Sequence, residues 1–373
     1  MKIVAIATIL VHLPYAYDGP RHSVGGKDWN TMDILLVRVD TDAGITGWGE
    51  AFGHGANPTT RTALDTLVAP LFIGRDPGEI SALMLDAMQK LHLFGRNGPV
   101  TYALSGIDIA LWDIAGKRAN LPLSQLLGGA RPAQVPAYAS LLRYGDPATV
   151  ARNAARAVAE GYRAIKLHEI GAPEVHAARQ AIGPDILLMN DCNCPWSVAE
   201  ALRMAEELRP ANLHWLEEPV WPPEDHAGLA RVRAAGVPIA AGENAAGLHD
   251  FLHLFQAGAV DVAQPSVTKI GGITEARKIY ALAEAFGVRV VPHCAYFGPG
   301  FLASLHLAAT LGATLTDTPP LERLFVDLDA SPFSPWTEAQ DGWLAVPDAP
   351  GLGCDPDMDV VERYRRTPIT VTQ

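Results

Sequence analysis

No apolar run in this 373-residue chain approaches the ~18 residues needed to cross a bilayer, which excludes a membrane-spanning helix from the reading. Basic residues are outnumbered, 29 Lys and Arg against 41 Asp and Glu, for a formal net charge of −12. Nucleic acid and anionic membranes bind through clustered positive charge, so neither is expected as a partner. Cysteines number four, too few for a disulfide framework; their scarcity suits a reducing compartment, and the expected location is the cytoplasm. Cys192 and Cys194 form a C-x-C, but no second pair follows at zinc-site spacing, so a thiolate metal site is not expected. Phosphate-cradling fingerprints are missing too: no G-x-G-x-x-G follows a strand, and there is no G-x-x-x-x-G-K-[ST]. The apolar opening, MKIVAIATILVHLPY, is short and lacks a small-residue cleavage site, so it reads as a β-strand and not as a signal peptide.

What is present is organised in two patterns. Residues 1–60 alternate like strands, Ile3 to Leu10, Asp33 to Asp40 and Thr46 to Ala51, the last two joined as a hairpin by Thr41–Gly44. Residues 60–128 turn helical, with Leu104, Ile107, Leu111 and Ile114 at helical spacing and Gly128 near the stop. Strands followed by helices predict an α+β lobe over 1–128. From Val135 onward short apolar strands alternate with helices: VPAYAS, AIKL, ILLMN, LHWL, PIAA, VDVAQ, VRVV and PPLERLF. Repeated βα units without a phosphate fingerprint favour a barrel over an open sheet, here across 129–330. Residues 331–373 return to Pro, Gly and Asp-rich loops and are expected to fold back over the first lobe.

Polar residues gather where those strands end. ILLMN runs into Asp191, LHWL into Glu217 and PIAAG into Glu243, evenly spaced, one strand–helix unit apart. Barrel chemistry sits at the C-terminal tips of strands, so the three carboxylates should converge on one point. Buried together they repel and need a cation. Oxygen ligands suit a hard ion such as Mg²⁺, leaving roughly three of its ~six positions for water or substrate. Taken singly, an acid at a strand end is usually a helix cap; three in register are not explained that way. AIKLH places Lys166 and His168 on one face of a strand, VRVVPH ends in His293, and PPLER supplies Glu322. A lone histidine at such a tip is as often structural as catalytic, whereas an ammonium inside a barrel needs a reason.

These motifs resemble the enolase superfamily, specifically its mandelate racemase branch, along nearly the whole chain. TGWGEA and ALSGIDIALWDIAGKRANLPLSQLLGG are similar to the branch's capping-domain signatures, and DCNCPW, WLEEP, GEN, TKIGG and LER follow in family order. The resemblance implies a modified (β/α)₇β barrel under an α+β cap that the C-terminal segment completes. It implies one Mg²⁺ held by Asp191, Glu217 and Glu243, with Glu217 and not Glu218 as the second ligand. Asn193 matches a metal- or substrate-contacting asparagine and Lys166 the first lysine of the family's K-x-K. Lys269 matches a barrel lysine near the site, His293 the strand-seven histidine, and Glu322 a glutamate that donates a hydrogen bond to the substrate's carboxylate. The chain departs from the pattern at two places: the second K-x-K lysine is His168, and the acidic partner of the strand-seven histidine is Ser266.

An α-proton beside a carboxylate is weakly acidic because its loss makes a dianionic ene-diolate, and a divalent ion with a nearby ammonium stabilises that charge. The expected function is an acid-sugar dehydratase, with Lys166 on one side of the substrate, His293 on the other, and His168 as a second contact or alternative base. Racemisation, epimerisation or cycloisomerisation on the same metal site is the alternative, and a catalytically silent barrel the rival from another class. The loop with Arg21 and His22 and the loop from Gly53 to Thr60 are expected lids that set specificity. The implied partners are a small acid-sugar substrate and further copies of the chain in a homo-oligomer.

Overall fold

The structure, a computed structural model, describes residues 1–21, 23–24, 26–129, 133–311 and 319–373. Strands β1 (Ile3–Ala16), β2 (Thr31–Thr41) and β3 (Thr46–Ala51) form an antiparallel sheet, with helices α1 (Ile80–Leu91) and α2 (Pro99–Ala119) packed on it. β1 is longer than the apolar run that announces it, because β2 pairs with it from Ile3↔Thr41 to Pro14↔Thr31. The two faces of this sheet have different neighbours. Ile6, Leu10, Leu35 and Val37 join the helices of the same lobe, whereas Ile9, Val11, Ile34 and Leu36 join the core of the barrel. Burial on both faces explains why these strands are almost continuously apolar. The helical stretch breaks earlier than Gly128: Asn120 takes a left-handed conformation, its N–H closing on Gly116 and Lys117, and Pro122 follows.

Eight parallel strands follow: β4 (Gln134–Ser140), β5 (Ala164–Leu167), β6 (Leu187–Asp191), β7 (Trp215–Glu217), β8 (Ile239–Ala241), β9 (Val262–Ala263), β10 (Arg289–Val290) and β11 (Leu321–Leu324). β4 to β10 lie side by side in chain order and β11 pairs in parallel with β4, bringing the last strand back beside the first. Inside lies a layer made by Tyr138, Ala164, Met189, Trp215, Ala240, Val262 and Val291. The C-terminal segment first adds Trp343–Ala345 antiparallel to β4, then reaches the cap, where Thr370–Thr372 pairs with Ile6–Thr8. No helix among the described residues is long and apolar enough to cross a membrane.

The cap is fixed to the barrel at two helix N-termini. Helix α3 (Gly272–Phe286) receives Asp108 from α2, whose carboxylate accepts from Thr274 N at 2.9 Å. Helix α4 (Pro299–Leu311) receives Glu50 from β3, which accepts from Gly300 N at 2.9 Å. Exposed amides at a helix start attract a carboxylate. This contact also accounts for the second glycine of TKIGG: Gly272 has φ +85, and a Cβ there would lie 2.3 Å from Asp108 Oδ2.

Burial pushes the Glu50 carboxyl up to about 8, against the pull of the Gly300 and Gly298 amides. An acid whose folded pKa is raised holds its proton in the folded state between the ordinary carboxylate range and that value, so its contribution to stability falls as pH rises through the window. Glu50→Gln keeps the acceptor without the charge. In thermal unfolding its Tm should gain on the wild type between pH 6 and pH 8.5, while Glu50→Ala loses stability at both. A difference between wild type and Glu50→Gln that does not change with pH contradicts a protonated Glu50.

Candidate active site

Side chains two residues apart on a strand face the same way. The interior layer therefore places the next inward residues at the strands' C-terminal tips: Ser140, Lys166, Asp191, Glu217, Gln264 and His293, all buried. After β8 the alternation is interrupted at Gly242, with φ +137, where a Cβ would lie 2.8 Å from the Phe251 ring. Glu243 follows it and reaches the same mouth, its carboxylate 3.1 Å from His293 Nε2.

Lys166 has no exposed surface, and its ammonium lies 2.7 Å from Glu322, 3.0 Å from Glu217 and 3.6 Å from Asp191. Burial disfavours the charge, but Glu217, Glu322 and Asp191 together outweigh it and hold the lysine well above its ordinary value. Trp215 Nε1 donates to the other oxygen of Glu217 at 2.9 Å. His168 Nδ1 lies 2.6 Å from the Leu141 carbonyl, which only accepts, so that nitrogen carries the hydrogen; Nε2 lies 3.4 Å from Asp191. Asp191 is held down to about 2: burial raises it, and Lys166 and His168 more than reverse that. On the far side, Lys269 lies 3.3 Å from Glu243 and 4.8 Å over the Phe52 ring.

Two expectations change. Glu322 was expected to donate to a substrate carboxylate. In the structure it accepts from Ser140 Oγ at 2.7 Å and Cys294 N at 2.9 Å and pairs with Lys166; against burial, Lys166 and His293 hold it down to about 2. Ser266 does bond His293 Nδ1, at 3.1 Å, and brings no charge. The imidazole is nonetheless raised: burial lowers it, but Glu243 at Nε2 and Glu322 behind it reverse the sign. Charge support thus reaches His293 from Glu243, two strands earlier, and not from the residue at Ser266.

Asn193 sits at the rim with φ +55, its N–H donating to Asp191 Oδ1 at 2.9 Å. Arg21 is not brought to the cluster: its side chain is 93% exposed and 3.7 Å from Asp28. His22 lies outside the described residues. Three neighbours escaped the sequence reading. Arg143, beyond the tip of β4, donates to the carbonyls of His168 and Cys192 and to Asn193 Oδ1. Tyr296 bonds Ser266, and His54 enters from the cap. Arg143 had a signal, a charge just past a strand tip, and His54 falls within the expected lid from Gly53 to Thr60. A cavity of about 620 Å³ between α1, α2 and α3 holds none of the residues singled out, and no chemistry is assigned to it.

Among the described residues no three acidic, histidine or cysteine groups already enclose one point; the carboxylates turn instead toward Lys166, His168, Lys269 and His293. Their chemistry still fits a hard divalent ion. Asp191, Glu217 and Glu243 offer oxygen alone. Burial pushes Glu217 upward, with Asp191 and Glu322 adding to it, and pushes Glu218 up to about 7, with Glu243 and Asp191 adding. That strain between like charges is what a cation relieves.

A capped α/β barrel with buried carboxylates and basic groups at its strand tips defines a class of metal-assisted proton-transfer enzymes. Residues 7–128 match the family described as mandelate racemase / muconate lactonizing enzyme, N-terminal domain, and residues 149–360 match enolase C-terminal domain-like. The chain belongs to this family, within the enolase superfamily, as the motifs indicated. It is 35% identical to D-galactarolactone cycloisomerase of Agrobacterium fabrum, over 98% of this chain and 99% of that one. It is 30% identical to arabinonate dehydratase of Saccharolobus solfataricus, over 92% and 93%. The crystal structure of L-talarate dehydratase from Polaromonas sp. JS666, complexed with Mg and L-glucarate, superposes with a TM-score of 0.81 at 28% identity, covering 100% of this chain and 99% of that one. The chain is a lyase or isomerase of that superfamily, and its expected cofactor agrees with the magnesium in that relative.

Calorimetric titration with Mg²⁺ checks the ligand set. Glu217→Gln should weaken binding at least ~10-fold, since even an outer-shell partner of a ligand is worth that much, and Glu218→Gln should weaken it less. The reverse order would assign the ion to Glu218.

Proposed function

We propose that the enzyme removes the α-proton of a sugar acid and expels hydroxide from the neighbouring carbon, as an acid-sugar dehydratase. The observation that carries this reading is the pair of histidines at opposite ends of the carboxylate row, His168 against Asp191 and His293 against Glu243. Asp191, Glu217 and Glu243 would hold Mg²⁺, which when bound supplies Lewis-acid stabilisation of the charge that grows on the substrate's carboxylate. Lys166 adds a permanent positive charge beside it. Its ammonium is taken up by three carboxylates, from 2.7 Å at Glu322 to 3.6 Å at Asp191, so we assign the base to His168, the alternative to Lys166. With its hydrogen fixed on Nδ1 by Leu141, His168 takes the α-proton at Nε2, the nitrogen nearest Asp191, which raises the imidazole against burial. His293, raised against burial by Glu243, donates to the departing oxygen. A base and an acid at opposite ends of the row suit elimination.

Cycloisomerisation is the second reading, favoured by the likeness to D-galactarolactone cycloisomerase. There the leaving oxygen belongs to the substrate's own ring and the two histidines keep their roles.

A screen of sugar acids in D₂O followed by NMR tests both readings. Product should form with loss of water or opening of a ring. His168→Gln should lower α-proton exchange ~10²-fold or more, the usual scale for a lost general base. His293→Asn should stop product formation while exchange continues. Lys166→Ala should also slow turnover, by leaving buried carboxylates uncompensated. Should Lys166→Ala abolish exchange while His168→Gln spares it, Lys166 is the base. A wild-type enzyme that interconverts epimers and eliminates nothing overturns the proposal.

A further inference from the structure

Ser266 brings no charge to His293, yet the contact does not end there. Its Oγ lies between His293 Nδ1, at 3.1 Å, and the hydroxyl of Tyr296, and Tyr296 has a further hydroxyl neighbour in Thr268. These side chains are all buried, and Thr268 Oγ1 has no other hydrogen-bond partner among the described residues. Burial pushes the Tyr296 phenol well above its ordinary range, so it keeps its hydrogen. At the opposite edge of the imidazole, Nε2 faces the Glu243 carboxylate at 3.1 Å.

Each hydroxyl has one hydrogen to give, so a row of them can run in only two directions. Running away from the histidine, Nδ1–H donates to Ser266, Ser266 to Tyr296 and Tyr296 to Thr268. Running toward it, Thr268 donates to Tyr296, Tyr296 to Ser266 and Ser266 to a bare Nδ1. The direction decides whether His293 can act as an acid at Nε2. As the bond from carbon to the departing oxygen breaks, its electron pair goes to that oxygen, which takes the Nε2 hydrogen. With a hydrogen on Nδ1 the histidine is left as a neutral imidazole; with Nδ1 bare it would be left as an imidazolate anion. We propose that Tyr296 is a positioning residue for His293: by accepting the Ser266 hydrogen it makes Ser266 an acceptor, which keeps a hydrogen on Nδ1 and leaves Nε2 to give one away. This rests on the reading of His293 as the acid. Paired hydroxyls thus do at Ser266 what a carboxylate does elsewhere, fixing the tautomer without adding charge.

Tyr296→Phe removes the hydroxyl and keeps the ring, which stands edge-on to His293 at 5.9 Å and to Phe52 at 6.3 Å. With the Mg²⁺-loaded enzyme and a sugar acid, it should lower kcat for product formation about 10-fold, the scale of one hydrogen bond, with KM and α-proton exchange little changed. Ser266→Ala should cost about as much, and the double variant no more than Ser266→Ala alone, because Tyr296 acts through Ser266. Losses that add in the double variant, or product formation and exchange falling together, overturn the inference. A second measurement needs no substrate. In enzyme carrying ¹⁵N-histidine, the Nδ1–H of His293, identified by its loss in His293→Asn, should exchange slowly with water in the wild type. It should exchange fast in Tyr296→Phe, as in Ser266→Ala; slow exchange retained in Tyr296→Phe also overturns the inference. Absence of turnover with any sugar acid sinks the function reading instead, and the exchange of the ring hydrogen still decides this one.

Discussion

Lys166 has no contact with solvent, and its ammonium is shared by three carboxylates that are themselves buried. Neither sign is tolerable alone: a buried charge stripped of its partners is strongly destabilising, whereas a matched, hydrogen-bonded cluster is not. The rest of the mouth follows from this balance. Asp191 and Glu217 are neighbours in register on adjacent strands, and parity turns both inward. The histidines occupy the two ends of the row because those are where a carboxylate oxygen is still available. The cap must cover the cluster, since its interactions weaken wherever water enters.

The cap meets the same difficulty with the opposite solution. Asp108 and Glu50 are as deeply buried as the acids of the mouth, but no lysine or arginine among the described residues answers them. Backbone amides at the starts of α3 and α4 do so, aided by protonation. One set of acids thereby pairs with side-chain cations at the mouth, and the other serves as fasteners between lobes.

Much of this was legible in the sequence, for a physical reason. A barrel strand buried on both sides must be apolar until it reaches the mouth, so Asp191, Glu217 and Glu243 stand out as the first acids after ILLMN, LHWL and PIAAG. Side-chain parity did the same for Lys166 and His168. What stayed hidden depends on contacts distant in sequence. The downward shift of Glu322 comes from Lys166, the upward shift of His293 from Glu243, and the position of His54 from a left-handed backbone that no pattern announces. Arg21 failed for the converse reason: a charge on a long loop looks the same whether it faces a ligand or water.

Thr370–Thr372 lies along Ile6–Thr8, so one of the last strands to be synthesised is the neighbour of the first. Loop-closure entropy makes such a pairing slow to form. Until residue 370 has emerged, that edge of β1 remains a row of unpaired amides and carbonyls, able to capture any passing strand. A chain without residues 370–372 therefore carries a sticky seam that this strand otherwise seals, and its aggregation should begin there before the barrel itself is at risk.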